Sequence, residues 1–291
     1  MPYLYLTLAT LCISLSTIVG GFFSKRNDGI KGSSSLYTFL VTCSAFIFWL
    51  IVFLFDRTFN PEVIIYSLLF GTFFATFHLS YMLAIKNGPI VLTGLFSQLS
   101  LIGTTIWGFF FWDTKPSLIT ILGLVIVCVA IFLCLYKGKT NDEKSKSFSF
   151  KWLIFAILAF AGNAGCAIVQ KTEQINFGGK YGNFFMLIAI AFSVLACFIL
   201  WLKDKKEKTK TVIKTSLHIP VIAGLSNAVS NLFIIILATT TLSPSLIYPV
   251  IGVGGLMLVT LASKFIFKEQ LCWWQWLGIA LGTISVALLS I

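Results

Sequence analysis

Charged side chains are scarce in this sequence. Only 11% of its 291 residues are Asp, Glu, Lys or Arg, whereas 58% are hydrophobic; an ordinary soluble domain carries about 25% charged residues. This composition excludes a water-soluble globule and indicates an integral membrane protein. At about 20 apolar residues for each crossing, the chain has room for about ten helices and none for a separate soluble domain.

Acidic side chains are fewer than basic ones, ten against 21, and they avoid the apolar stretches. All ten lie in loops or at the ends of apolar segments, which predicts that no carboxylate is buried at the centre of the membrane. A cation-binding or proton-relaying glutamate is therefore not expected there. These residues are Asp28, Asp56, Glu62, Asp113, Asp142, Glu143, Glu173, Asp204, Glu207 and Glu269.

The sequence also lacks the motifs of several function classes. Its seven cysteines lie within or beside apolar segments, with no CxxC or Cys/His cluster, so neither a disulfide framework nor a metal site is expected. A Gly-rich phosphate loop of the Walker type is absent, which excludes ATP-driven pumping. No paired aspartates or His/carboxylate set occur in the apolar stretches, so we predict no enzyme activity and no cofactor.

What the sequence does contain is a series of apolar windows of membrane-crossing length, which predicts an all-α integral membrane protein. Proline opens the fourth, fifth and ninth windows, at the helix position where its missing N–H matters least. The ten predicted spans are 2–24, 36–55, 63–85, 89–112, 116–136, 152–170, 183–202, 217–238, 244–267 and 271–290.

The basic residues are divided unevenly among the connecting loops. Of the 21 Lys and Arg residues, 17 fall in the loops after spans 1, 3, 5, 7 and 9, counting Lys264 near the end of span 9, and 4 fall in the other loops. The positive-inside rule places the richer set in the cytoplasm and both termini outside. The net charge of +11 thus reflects orientation in a multi-pass plasma-membrane protein, and nucleic acid is not an expected partner.

The two halves of the chain resemble each other. With an offset of 155, Pro89 falls on Pro244 and Gly123 on Gly278, and the span boundaries superpose through to the C-terminus. We predict ten transmembrane helices arranged as two inverted five-helix repeats, because an odd number of crossings turns the second copy over. The first repeat covers 1–136 and the second 152–291, with a basic loop at 137–151 between them.

Several short motifs carry a resemblance to a known family. They are Glu269 followed by Gly278 and Gly282, SPSLIYPV at the start of span 9, GLSNAVSN in span 8, and FAGNAGCAIVQK in span 6. In their order and spacing the chain resembles the drug/metabolite transporter superfamily, in its ten-helix EamA-like branch. The resemblance implies a carrier of small metabolites or drugs, with a central cavity lined by spans 1, 3, 4, 6, 8 and 9.

Polar residues inside the spans are the candidate substrate contacts, because such residues usually face a cavity or another helix. When the two repeats are aligned, these residues fall on one another in pairs. Thr72 and Thr76 form one i, i+4 stripe and Asn227 and Asn231 another, and we expect the two stripes to face each other. The competing interpretation is that these side chains only hold neighbouring helices together. At the offset of 155 the pairs are Thr72 with Asn227, Thr76 with Asn231, and Thr93 with Tyr248; nearer the start of the repeat, where the offset is 146, Thr17 pairs with Asn163.

Three further residues belong to the candidate set. Tyr81, like Tyr248, could stack on a planar ligand or a cation, and Gln98 lies in the middle of span 4. His78 is the one histidine deep in a span and could couple transport to protons. It lies about 200° around the helix from Thr76, so a structural histidine is the alternative.

The predicted function is a secondary transporter that moves a small neutral or zwitterionic metabolite, such as an amino acid, nucleobase or drug-like compound, by alternating access. The alternative is a non-transporting membrane scaffold or receptor subunit. The expected partners are the small-molecule substrate and the lipid bilayer, with a homodimer left open.

Overall fold

A computed structural model describes residues 2–112, 117–135, 149–204, 209–238, 244–268 and 273–288, and these residues are almost entirely helical. The helices are α1 (Pro2–Arg26), α2 (Ser33–Phe55), α3 (Val63–Asn87), α4 (Ile90–Gln98), α5 (Ser100–Phe111), α6 (Leu118–Leu135), α7 (Phe150–Phe177), α8 (Gly182–Lys203), α9 (Thr209–Ser216), α10 (His218–Ala238), α11 (Pro244–Ala262) and α12 (Trp273–Leu288). A π-helical turn, Ser263–Phe267, extends α11.

Six of these helices, α1, α2, α3, α7, α8 and α10, are long and apolar enough to cross a membrane. Large apolar side chains such as Phe55 (88% exposed) and Leu118 (76% exposed) cover the outside of the bundle, as expected for a surface that meets lipid. The all-helical membrane fold is confirmed. The ten-span count and the inverted repeat remain predictions.

Two predicted spans differ from the helices observed. The fourth is divided into α4 and α5 at Leu99. The sixth was expected to end at Gln170, where charged residues begin, but α7 continues to Phe177 and stops at Gly178, whose φ of 61° is left-handed. The sequence after Gln170 is rich in helix-forming side chains, so glycine rather than charge ends the helix.

Glycines set the close approach of α7 to α3. A Cβ on Gly162 would lie 2.8 Å from the backbone nitrogen of Phe77, and one on Gly165 would lie 2.5 Å from the ring of Phe73. Only a residue without a side chain fits at such contacts. Gly71 of α3 likewise meets the carbonyl of Ala189 in α8. These contacts fix the helices around the centre of the bundle.

The helices pack in matching pairs. α3 lies along α7, and α1 lies along α10. α3 also contacts α8, as α10 contacts α2, while α2 meets α8 and α6 meets α12. The main neighbour of each helix in the first half is therefore a helix of the second half.

The bundle has two ends, which we name after a residue of each. At the Lys25 end, α1 finishes and α2 begins; at the Glu173 end, α7 finishes and α8 begins. The Glu173 end is tied by hydrogen bonds from Asn176 Nδ2 to Tyr66 Oη (2.8 Å) and from Asn183 Nδ2 to Asp56 Oδ2 (2.9 Å).

Candidate functional site

A cavity of about 210 Å³ lies at the centre of the bundle. Its walls come from α1, α3, α4 with the start of α5, α7, α10 and α11, and Tyr37 of α2 adds one further side chain. Apart from Tyr37, these are the six spans that the family resemblance implied. Most of the lining is aliphatic or aromatic, with a few polar side chains converging on it, as is typical of a small-molecule site.

Asn227 and Asn231 form the polar stripe on α10, and both line the cavity. Asn231 Nδ2 donates to the backbone oxygen of Asn227 at 2.9 Å and to its Oδ1 at 3.2 Å. Because the two residues are four apart, this bond lies along one face of the helix. The stripe is thus pre-ordered as a row of amide groups facing the cavity.

Asn163 faces the cavity from α7, opposite the break between α4 and α5. Its Nδ2 donates to the backbone oxygen of Ser97 at 2.9 Å and to Ser100 Oγ at 2.8 Å. The carbonyl of Ser97 lies in the last turn of α4, where the helix ends and carbonyls lose their intrahelical partners. Asn163 therefore both holds the broken helix and lines the cavity.

His78 lies in the cavity wall, between the rings of Phe74 (centroids 4.3 Å apart) and Phe77 (5.0 Å). Its Nε2 is buried and has no hydrogen-bond partner among the described residues. A buried unpartnered ring nitrogen is unusual and calls for an explanation. A ligand in the cavity would supply the missing partner.

Thr17 and Tyr81 also line the cavity. The Thr17 hydroxyl donates to the backbone oxygen of Ile13 at 3.1 Å and keeps acceptor capacity toward the cavity. Tyr81 packs against Phe77 with ring centroids 5.4 Å apart. Their roles in binding stay predictions, as do those of the asparagines.

Thr72 and Thr76 lie away from this cavity, so the expected opposition of the threonine and asparagine stripes is wrong. Thr72 is exposed, and its hydroxyl donates to the backbone oxygen of Leu68, as Thr76 donates to that of Thr72, each at 2.9 Å. Threonine satisfies its hydroxyl in this way without a neighbouring helix. The face of α3 about 200° from Thr76 carries His78, which is why the histidine lines the cavity instead.

Thr93 also lies outside the cavity lining, because it has a structural partner. It is fully buried, and its Oγ1 accepts a hydrogen bond from Trp152 Nε1 at 2.9 Å. The same hydroxyl donates to the backbone oxygen of Pro89 at 2.9 Å. The remaining two candidates, the side chains of Gln98 and Tyr248, lie outside the described residues.

Toward the Lys25 end the cavity borders an apolar cluster, with which it shares Ile85 and Val259. Ile85, Ile90, Val259 and Phe267 form a buried apolar cluster there, and Lys25 Nζ donates to the backbone oxygen of Phe267 at 2.7 Å. That bond joins the end of α1 to the π-helical turn after α11. This hydrogen bond therefore holds α1 to the end of α11 at the Lys25 end of the bundle.

Sequence reasoning missed Tyr37, Gln170 and Glu173. Gln170 lines the central cavity and also a second cavity at the Glu173 end, where Glu173 is only 1% exposed. Glu173 lies near the end of α7, as expected for an acidic residue at the end of a span, but its side chain is buried among the helices, which was not expected. The signal was present: the glycine pair at 178–179 places the helix end beyond Glu173.

Comparisons with known proteins agree with this structure. The model of the EamA-like transporter family matches residues 1–136. A solved crystal structure is similar over 97% of this chain and 98% of its own, with a TM-score of 0.53 and 14% identity, which shows a shared fold. No curated protein matches the chain. The family match confirms the resemblance to the drug/metabolite transporter superfamily.

Proposed function

We propose that the protein is a secondary transporter of a small neutral or zwitterionic metabolite, because the model of the EamA-like transporter family matches residues 1–136. The observation that carries this proposal is the central cavity, an apolar chamber into which Asn163, Asn227 and Asn231 bring amide groups. We place the protein in the plasma membrane, where its loop charges favour a multi-pass orientation.

The chemistry of the cavity suits a substrate without strong net charge. Asparagine amides and hydroxyls offer both donors and acceptors to neutral groups, and His78 adds an unpartnered ring nitrogen. Among the described lining residues of the central cavity there is no carboxylate, lysine or arginine. An amino acid, a nucleobase or a drug-like compound of similar size meets these requirements.

The pairing of helices supports transport by alternating access between two repeats. α1 lies along α10 as α3 lies along α7, which is the exchange expected if a two-fold axis relates the halves. The hydrogen bond from Lys25 Nζ to the backbone oxygen of Phe267 joins the end of α1 to the turn after α11. In this proposal the bond opens when the halves rock, and a matching closure forms at the Glu173 end.

Reconstituted protein tests this proposal. We expect the double variant Asn227→Leu/Asn231→Leu to lose at least about tenfold of its solute flux, because a substrate that loses hydrogen bonds in a dry cavity binds more weakly by 1.4 kcal/mol or more. Flux would be measured in proteoliposomes with radiolabelled neutral amino acids and nucleobases. Leucine keeps the branching of the asparagine side chain at Cγ, and replacing both partners of the Asn227–Asn231 bond together leaves neither of these two amides unpaired.

The matched control is Thr72→Val/Thr76→Val. It removes two polar groups at the same i, i+4 spacing on a face away from the cavity, so flux should stay at the wild-type level. Equal flux from wild type and the asparagine double variant would remove the cavity as the transport site. Absence of flux for every solute, with solutes still binding, would favour the receptor alternative.

A further inference from the structure

A second cavity, of about 270 Å³, opens at the Glu173 end of the bundle. It lies between the last turns of α7, the start of α8 and the side chain of Ile235 in α10. Gln170 lines this cavity and the central one. The two chambers are therefore neighbours with one shared side chain, and a solute that leaves the central cavity toward this end passes Gln170.

Two buried polar atoms in this region have no partner among the described residues: Oε1 of Glu173 and Nε2 of Gln170. The two side chains are three residues apart and so share one face of α7. Glu173 is 1% exposed and lines the second cavity. A buried carboxylate without a partner is strongly unfavourable, and the arrangement calls for a group that supplies donors to it.

The surroundings of Glu173 are suited to a cation. α7 ends at Phe177, four residues on, and the free carbonyls and dipole of a helix C-terminus favour positive charge. Among the described residues that line the second cavity, Glu173 is the only titratable side chain. The nearest lysine along α7, Lys171, lies with its Nζ 4.5 Å from the ring centre of Trp112, outside that lining.

We propose that the second cavity binds the protonated amino group of the transported solute, with Glu173 as its acceptor. The inference rests on the proposed transport function and narrows its substrate class to metabolites that carry an amine. Gln170 Nε2 offers a donor to an oxygen of the same solute, and Phe185 and Ile235 provide apolar contacts for its hydrocarbon part. A metal ion fits less well, because it needs several oxygen ligands and the described residues contain no group of three or more His, Cys, Asp or Glu side chains that could hold one.

The site would select the solute at the entrance or exit of the central cavity. An ammonium group has three donors, so it can satisfy Glu173 and still reach a carbonyl at the end of α7. The remainder of the molecule then lies toward Gln170. This explains why the carboxylate is at the end of the spans while the central cavity is uncharged.

Matched amines and alcohols test the inference. We expect 3-methylbutylamine and 2-phenylethylamine to raise the melting temperature of the detergent-solubilised full chain, as ligands of the native state do. The alcohols of the same skeletons, 3-methylbutanol and 2-phenylethanol, should bind at least about tenfold more weakly, since they lack the charge-assisted hydrogen bond. Equal effects of amine and alcohol on the wild-type protein would overturn the inference.

Three variants identify the carboxylate responsible. Glu173→Gln keeps the shape of the side chain and removes an unpaired charge, so it should fold, and it should lose the preference for amines. Glu173→Asp should retain a weaker preference. Glu62→Gln removes an exposed carboxylate at the same end of the bundle and should behave as wild type. A full preference in Glu173→Gln, or its loss in Glu62→Gln, would show that Glu173 is not the acceptor.

Flux separates this inference from the proposed function. In proteoliposomes, the wild-type protein should transport amine-bearing amino acids faster than nucleobases, and Glu173→Gln should lose this preference. If Glu173→Gln keeps the wild-type preference, the amine site is wrong, although transport stands. If the wild-type protein transports neither class, the proposed function fails.

Discussion

Replacing Trp152 with alanine should lower the free energy of unfolding by about 3–5 kcal/mol, the range for removing a fully buried large aromatic side chain. Trp152 is completely buried and packs edge-on against Phe96, with ring centroids 5.4 Å apart. Its ring also fills the space beside Gly88, at the turn from α3 to α4. Removal leaves a void where three helices meet and takes away the hydrogen bond to Thr93.

The melting temperature of the purified protein in detergent measures this effect. Thr93→Val separates hydrogen bonding from packing: it removes the hydroxyl that accepts from Trp152 Nε1 and donates to the backbone oxygen of Pro89, which should cost about 1–3 kcal/mol. Trp273→Ala is the control for the loss of a tryptophan, because Trp273 is 71% exposed, and it should change stability by no more than about 0.5 kcal/mol. If the melting temperatures of Trp152→Ala and Trp273→Ala are equal, the packing at this turn is not a main source of stability.

The sequence predicts the membrane class and most helices because apolar length determines both. α1, α2, α3, α8 and α10 begin and end within a few residues of the predicted spans. The end of α7 was misplaced because the prediction stopped at the first charged residue. A helix continues past charged residues while its backbone bonds remain satisfied, and glycine in a left-handed conformation is the physical stop signal.

Half of the candidate site was predictable and half was not. Asn163, Asn227 and Asn231 line the cavity, and an amide has more donors and acceptors than the backbone of its own helix satisfies. Thr72 and Thr76 satisfy themselves on the backbone, so their positions in the sequence say little about a cavity. Residue type alone distinguishes these two cases; the repeat register treats them as equivalent.

His78 and Thr93 show what only packing decides. The helical wheel separates His78 from Thr76 correctly, yet which of the two faces meets α7 depends on where Gly162 and Gly165 allow α3 to approach. The Thr93 hydroxyl accepts a hydrogen bond from Trp152, which lies 59 residues away in the chain. Contacts of this kind leave no pattern in one sequence, so the outline of the cavity requires the structure.

The approach of α3 to α7 carries the last prediction: Gly162→Ala should lower the free energy of unfolding by about 3 kcal/mol, the upper part of the range for overpacking. The added Cβ would lie 2.8 Å from the nitrogen and 2.9 Å from the Cα of Phe77, and backbone atoms cannot rotate away. The displaced α3 would also move His78 and reduce flux. Gly94→Ala is the matched control, because its Cβ meets nothing nearer than Tyr81 Oη at 3.8 Å; alanine should there raise stability by up to about 1 kcal/mol. Equal melting temperatures for the two variants would mean that α3 and α7 do not pack as closely as the structure shows.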